Sequence, residues 1–411
     1  MSSFVNWIEK CFPEGDILRK MSDYQDDFSG EEWKNTNLSV LFETDFVLPD
    51  ANLKISKPAL HFDDFLNIVF VNGIYSESLS NMIVNKDIVI GGFSKDKDND
   101  SRIASYVDQI DITNNPFKEL NSAITQDMAV ILLAENQIID KPIHIMFITT
   151  KFDQPVMTCP KILLRFEEGS SCTVIESYFG ESQGRYLTNS STSIEVNDSA
   201  KITYYRLLLQ GADSFHLGTV DVDLNSNASL ESTFFSKGSK LSRTELNVLM
   251  NGSYSECSVN GLYHTVDQQH IDNVINIDHL VPNTRSNLVY KGILDGNSRA
   301  SYSGKVFVAK EAQKTYALQS DKNLILSDKA RVNTKPILEI FADDVECFHG
   351  ATAGAIAEDA IFYLMSRGID KKSATEMLIE AFASETIDGI KTDAIRQYLY
   401  GILLNSKFVL V

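Results

Sequence analysis

Glu168-Gly169-Ser170-Ser171-Cys172-Thr173-Val174-Ile175-Glu176 and Asn197-Asp198-Ser199-Ala200-Lys201-Ile202-Thr203-Tyr204-Tyr205 share one design. In each, a polar turn holding a small residue precedes a short strand that alternates apolar and polar side chains. A third turn, Ser226-Asn227-Ala228-Ser229, keeps the spacing of about 29 residues. Asn251-Gly252-Ser253, Gly296-Asn297-Ser298-Arg299 and Ser327-Asp328-Lys329-Ala330 continue the series less regularly. Repeats of this length indicate stacked arrays, because a unit this small buries its apolar face only against its neighbours. Helical patterning is nearly absent from about 128 to 345, which argues against an α/β fold. A β-helix fits best, with a β-sandwich as the structural runner-up.

Outward from this core the texture changes. Phe4, Trp7, Ile8 and Cys11 recur at the spacing of one helix face. Pro13-Glu14-Gly15 reads as the stop of that helix, and Ser29-Gly30-Glu31-Glu32-Trp33 as a second start. Ile68-Val69-Phe70-Val71-Asn72-Gly73 and Ile88-Val89-Ile90-Gly91-Gly92 read as strands. Phe117, Leu120, Ala123 and Ile124 mark a helical insertion near 94–127. After 350, Ile356, Ala360, Tyr363 and Leu364 share a helix face, and Ser373-Ala374-Thr375-Glu376 has the pattern of a capping box. Ile395, Tyr398, Leu399, Ile402 and Leu403 form an amphipathic stripe, for packing on the chain's own core or for docking a partner. The expected organisation is a helical region over 1–60, a β-helix core over 61–350 and a helical domain over 351–411.

The chain of 411 residues carries a formal net charge of −19. An acidic surface repels nucleic acid and anionic membrane, so neither is an expected partner. The cysteines at 11, 159, 172, 257 and 347 are odd in number and scattered, which suits a reducing cytosol rather than a disulfide framework. No signal-peptide pattern opens the sequence and no apolar run approaches the ~20 residues that span a bilayer. A cytoplasmic protein is expected. Phosphate-loop, dinucleotide-fold, nucleophile-elbow and His-Glu-x-x-His motifs are all absent. His144, His216, His264 and His270 read as structural.

Cys347 and His349 stand apart, because two residues two apart on an extended segment project from the same face. A thiolate beside an imidazole is soft-metal chemistry suited to iron–sulfur species. Clusters usually take four protein ligands, so this pair would need completion by another chain. Asp343, Asp344 and Glu346 leave open a carboxylate pair, as in a β-helix enzyme acting on carbohydrate.

Residues 336–352, Pro-Ile-Leu-Glu-Ile-Phe-Ala-Asp-Asp-Val-Glu-Cys-Phe-His-Gly-Ala-Thr, resemble the signature of the SufB/SufD family of iron–sulfur cluster assembly scaffold proteins. Ile361-Phe362-Tyr363-Leu364-Met365-Ser366-Arg367-Gly368-Ile369 continues the resemblance. So do Ala317-Leu318-Gln319 with Leu324-Ile325-Leu326-Ser327, and His279 with Tyr290-Lys291-Gly292. Glu31-Glu32-Trp33-Lys34, Phe70-Val71-Asn72-Gly73, Cys347 and Gly350 resemble the SufD branch. A SufB-like subunit that accepts sulfur itself would have Glu at 350. Phe348 departs from the pattern, where a small Ser is common.

The resemblance implies a right-handed parallel β-helix flanked by N- and C-terminal helical regions. It also implies a non-catalytic scaffold that pairs with a SufB-like paralogue and docks the ABC-type ATPase SufC through residues about 353–390. A nascent iron–sulfur cluster would form at the shared interface, with His349 a ligand and Cys347 a secondary candidate. A reduced flavin is associated with such complexes. Exposed β-helix edges make a homodimer of the isolated chain a further expectation.

Overall fold

A computed structural model describes residues 3–12, 28, 30, 33–49, 55, 57–58, 60–94, 101–107, 115–150, 152–180 and 184–403. The Pro13–Gly15 stop lies outside the described residues, as do Ser29, Glu31 and Glu32 of the second helix start. Two parallel sheets stack coil upon coil into a β-solenoid of about eight turns. The first sheet runs through Ile138–Thr149, Ser171–Gly180, Lys201–Gln210, Ser229–Gly238, Glu256–Thr265, Arg285–Leu294 and Tyr316–Ile325 to Glu346–Gly354. The second runs through Asp127–Leu133, Lys161–Phe166, Tyr186–Val196, Phe215–Leu224, Leu241–Met250, His270–His279 and Arg299–Val308 to Arg331–Ile340. The β-sandwich alternative is thereby excluded, since the sequential strands pair in parallel with the strand one coil away.

The repeat of about 29 residues is one full coil. Each coil holds two strands; the turns from 168 to 253 precede first-sheet strands, whereas those at 296–299 and 327–330 precede second-sheet strands, which makes the later spacing irregular. The corners stack as well: Ser199 and Asn227 adopt left-handed backbone, and their amides bond to the carbonyls of Ser226 and Ser253 in the next corner. Gly252 is required where corners touch, because a Cβ there would lie 1.9 Å from the Ser226 amide nitrogen.

The interior is filled by columns such as Cys172, Ile202, Leu230 and Cys257, in register on successive coils and all buried. Helix α1 (Ser3–Cys11) buries Phe4, Trp7 and Ile8 against Leu187, Phe215, Leu217 and Leu241 on the outer face of the second sheet. Short α2 (Ser39–Phe42) follows, and α3 (Ser101–Val107) and α4 (Pro116–Ile124) occupy the predicted insertion. Asn115 caps α4 by accepting from the amides of Phe117 and Lys118.

At the other end of the chain come α5 (Glu358–Ser366), α6 (Lys371–Asp388) and α7 (Asp393–Leu403). Ile379, Ala383, Ile387, Ile395, Leu399 and Leu403 bury against Ile175, Leu207, Phe235 and Leu262 on the outer face of the first sheet. The Ile395–Leu403 stripe therefore packs on the chain's own core. Lys237 and Lys291 pin these helices by donating to the Leu403 and Phe382 carbonyls at 2.9 and 2.8 Å. The capping box is displaced: Asp370 caps α6 by accepting from the Ser373 amide, and Ser373 lies inside the first turn. Asp is as good a cap as Ser, and the earlier start gains helical residues.

Helices at both ends of the chain could have covered both ends of the solenoid. The C-terminal helices instead lie along the side. The strands Arg331–Ile340 and Glu346–Gly354 form the outermost rung of the two sheets, and among the described residues neither has a strand neighbour beyond it.

Candidate functional site

The strand Glu346–Gly354 forms because Cys347 packs among Val306, Val308, Ala317, Leu338, Ala342 and Val345 while its backbone pairs with Tyr316–Leu324. Cys347 stands opposite Ala317 and His349 opposite Gln319. Ala317 and Gln319 are buried, so this column faces the solenoid interior. On the last rung no further coil covers it, and the strand is exposed along most of its length. Cys347 and His349 are thus brought together on the interior-facing column at the open mouth. Cys347 is half-buried, and burial pushes its thiol up, with a backbone hydrogen bond from Ala317 opposing. His349 is exposed. Phe348 projects from the other face, where its ring meets that of Tyr316 with centroids 6.2 Å apart. It does not stand between Cys347 and His349.

Below the mouth the interior turns polar. Asn323 donates to Asp321 Oδ2 at 2.7 Å, and Tyr263 donates to Asn323 Oδ1 at 2.5 Å. Gln319 donates to Tyr302 Oη at 3.2 Å and to the Gly304 carbonyl at 2.9 Å. Burial raises Asp321 to about 6, against the hydrogen bonds from Thr334 and Asn323. Asp343, Asp344 and Glu346 lie in the exposed turn before the last strand and at that strand's start. Among the described residues no three His, Cys, Asp or Glu side chains gather as a metal-holding group. The mouth offers two candidate ligands, and any cluster held there as cargo needs others from outside.

Three other histidines are tied into the fold. His144 lies within 2.7 Å of Ser177 Oγ, and His279 bridges Thr284 and Ser286. His264 donates from Nδ1 to the Leu403 carbonyl at 3.1 Å, fastening the end of α7. Burial drives His144 to about 3 and His264 and His279 to about 4, so all three are neutral.

The rim carries what composition could not reveal. Ile340, Phe341 and Phe348 are exposed beside the unpaired rung, and Phe362, Tyr363 and Met365 are exposed on α5, a helix with no buried residue. Exposed apolar residues at an open strand edge are candidates for contact with another chain. Their signal in the sequence is the aromatic run Phe341, Phe348, Phe362 and Tyr363 around the final turn.

Comparison with known proteins accords with this architecture. The family model described as SUF system FeS cluster assembly, SufBD core domain, matches residues 147–382, and that of the SufBD protein N-terminal region matches 26–145. An iron–sulfur cluster assembly SufBD family protein of Synechocystis is 33% identical over 88% of this chain and 83% of its own. The iron–sulfur cluster assembly protein SufD of Escherichia coli is 31% identical over 89% of this chain and 86% of its own. A chloroplastic protein of Arabidopsis thaliana, ABCI7, is 29% identical over 82% of this chain and 74% of its own. No described helix is long and apolar enough to cross a membrane.

Proposed function

Because this chain belongs to the SufBD family of the SUF iron–sulfur cluster assembly system, we propose that it is the non-catalytic partner subunit of a heteromeric cytoplasmic scaffold. Its open solenoid mouth pairs with a SufB-like paralogue, and its C-terminal helices dock a SufC-like ATPase. The observation that carries this reading is the uncovered rung of strands Arg331–Ile340 and Glu346–Gly354, bearing Cys347 and His349 together with exposed Ile340, Phe341 and Phe348. A second β-solenoid set against this edge would satisfy its backbone groups and cover its apolar rim. It would also supply the ligands that two residues cannot. The nascent cluster is the cargo held between the two chains, with His349 the principal ligand here and Cys347 the secondary one.

The docking surface for the ATPase falls on α5 and the exposed side of α6, where Phe362, Tyr363, Met365 and Met377 face outward. In this reading residues 1–60 brace one flank of the solenoid, 61–350 form its body, and 351–411 carry the ATPase contact. Affinity purification of the tagged chain from its native cells, with mass spectrometry of the bound proteins, tests the assignment. An ABC-type ATPase and a paralogous β-solenoid subunit are expected together. Recovery of the chain alone at low salt would overturn it.

A further inference from the structure

A groove of about 600 Å³ lies between the segment around Trp33 and the outer face of the second sheet, away from the mouth's Cys347–His349 column. Its wall is pinned: Asn333 donates to Asn35 Oδ1 at 3.0 Å, and the Arg243 guanidinium stacks 3.9 Å from the Trp33 ring centroid. Across the groove floor, His270 pairs in register with Arg299, and Arg299 with Arg331. The solenoid thereby lines up His270 and two guanidinium groups on successive rungs, roughly 4.8 Å apart, and burial lowers the His270 pKa, so the arginines carry the charge. Lys34 faces them from the opposite wall.

Among the described residues no aspartate or glutamate lines this groove. The charged residues of that described lining are Lys34, Arg299 and Arg331, in a chain with 56 acidic and 37 basic residues. The buried Asp272 nearby is the ion-pair partner of Arg243 and accepts from Thr36, so its charge is already matched. Among the described residues Arg299 and Lys34 have no ion-pair partner, and Arg331 donates only to the carbonyls of Asp328 and Ala330. Exposed guanidinium groups converging on one volume are the donor set that phosphate oxygens fit. The volume is that of a small-molecule site, and Trp33 and Phe28 give it an apolar wall for a planar ring.

We propose that this groove binds a small phosphate-bearing molecule with a planar ring, of the nucleoside diphosphate class, its phosphates on Arg299 and Arg331. One wall of the site, Arg331–Asn333, belongs to the rung assigned above to the paralogue, so the test uses the isolated chain. Calorimetric titration of the full-length chain with ADP and with inorganic phosphate, at low and high salt, tests it. The expected result is ADP binding that weakens with salt and is about tenfold tighter than that of inorganic phosphate. Arg299→Ala and Arg331→Ala should each weaken it by about tenfold or more, while Lys310→Ala, outside the groove, leaves it unchanged. Both arginines are exposed, so the variants keep the fold, which circular dichroism verifies. Absence of ADP binding at millimolar concentration, or equal affinity in the two arginine variants and the parent, would overturn the proposal.

Discussion

Replacing Glu176 by Gln keeps the shape of a side chain buried inside the solenoid and removes its charge. Glu176 and Arg206 are both inaccessible to solvent and lie 2.7 Å apart. The carboxylate also accepts from Tyr178 Oη at 2.7 Å, from Thr192 Oγ1 at 2.9 Å and from the Tyr204 hydroxyl. Arg206 spends its other donors on Ser190 Oγ at 2.8 Å, His216 Nε2 at 3.1 Å and Thr244 Oγ1 at 3.3 Å. His216 is held neutral by burial and by the adjacent guanidinium, and its Nδ1 donates to Gln210 Oε1 at 2.9 Å. Glu176→Gln therefore strands a cation that no neighbour can neutralise, at a cost of about 3–5 kcal/mol. The double variant Glu176→Leu/Arg206→Met removes both charges and should recover most of that loss. Equilibrium urea unfolding followed by circular dichroism measures the cost. Hydrogen exchange should place the loosening in the coils around 171–224, since a solenoid coil contacts only its neighbours. A loss below about 1 kcal/mol, the value of an exposed pair, would refute the reasoning, as would additive single-variant costs.

Asp321 is raised to about 6 from an ordinary value of 3.8, so the native state holds a proton that the unfolded chain has lost between those pH values. Ionising it costs stability as pH rises through that window, and Asp321→Asn should stabilise the protein at pH 7.5 by up to about 3 kcal/mol, with the gain vanishing near pH 4. Unfolding midpoints across pH check this, and a gain equal at both pH values would contradict it. Gly252→Ala forces a Cβ into the backbone of the adjacent corner and should cost about 2 kcal/mol or more in the same unfolding assay.

The solenoid was legible where one face of a strand met something polar. Lys201–Gln210 begins with Lys201, Ile202 and Thr203 alternating exposed, buried and half-buried, after a corner at Ser199 that takes positive φ. Its coil mate Phe215–Leu224 stayed hidden, because Phe215 to Val220 are all buried. α1 and its neighbours cover that strand's outer face, which erases the alternation. The Cys347–His349 pair was readable because spacing alone places two residues on one face of a strand. That this face lies at an open mouth depends on a coil that does not follow, which no local pattern encodes. The alignment of His270, Arg299 and Arg331 escaped for a related reason: residues a coil apart in sequence become neighbours only through register. At the C-terminal end the apolar stripe of α7 and the apolar side chains of α5 look alike in sequence. Only packing separates the buried Leu399 from the exposed Phe362.

The account rests on the mouth as the place where cargo is held between this chain and a paralogue. The most direct test is reconstitution of the assembled complex with His349→Ala, following cluster build-up by absorbance beside complex size by light scattering. The account predicts a complex of unchanged size whose cluster build-up falls by about tenfold or more. Cluster yield equal to that of the parent complex would contradict it.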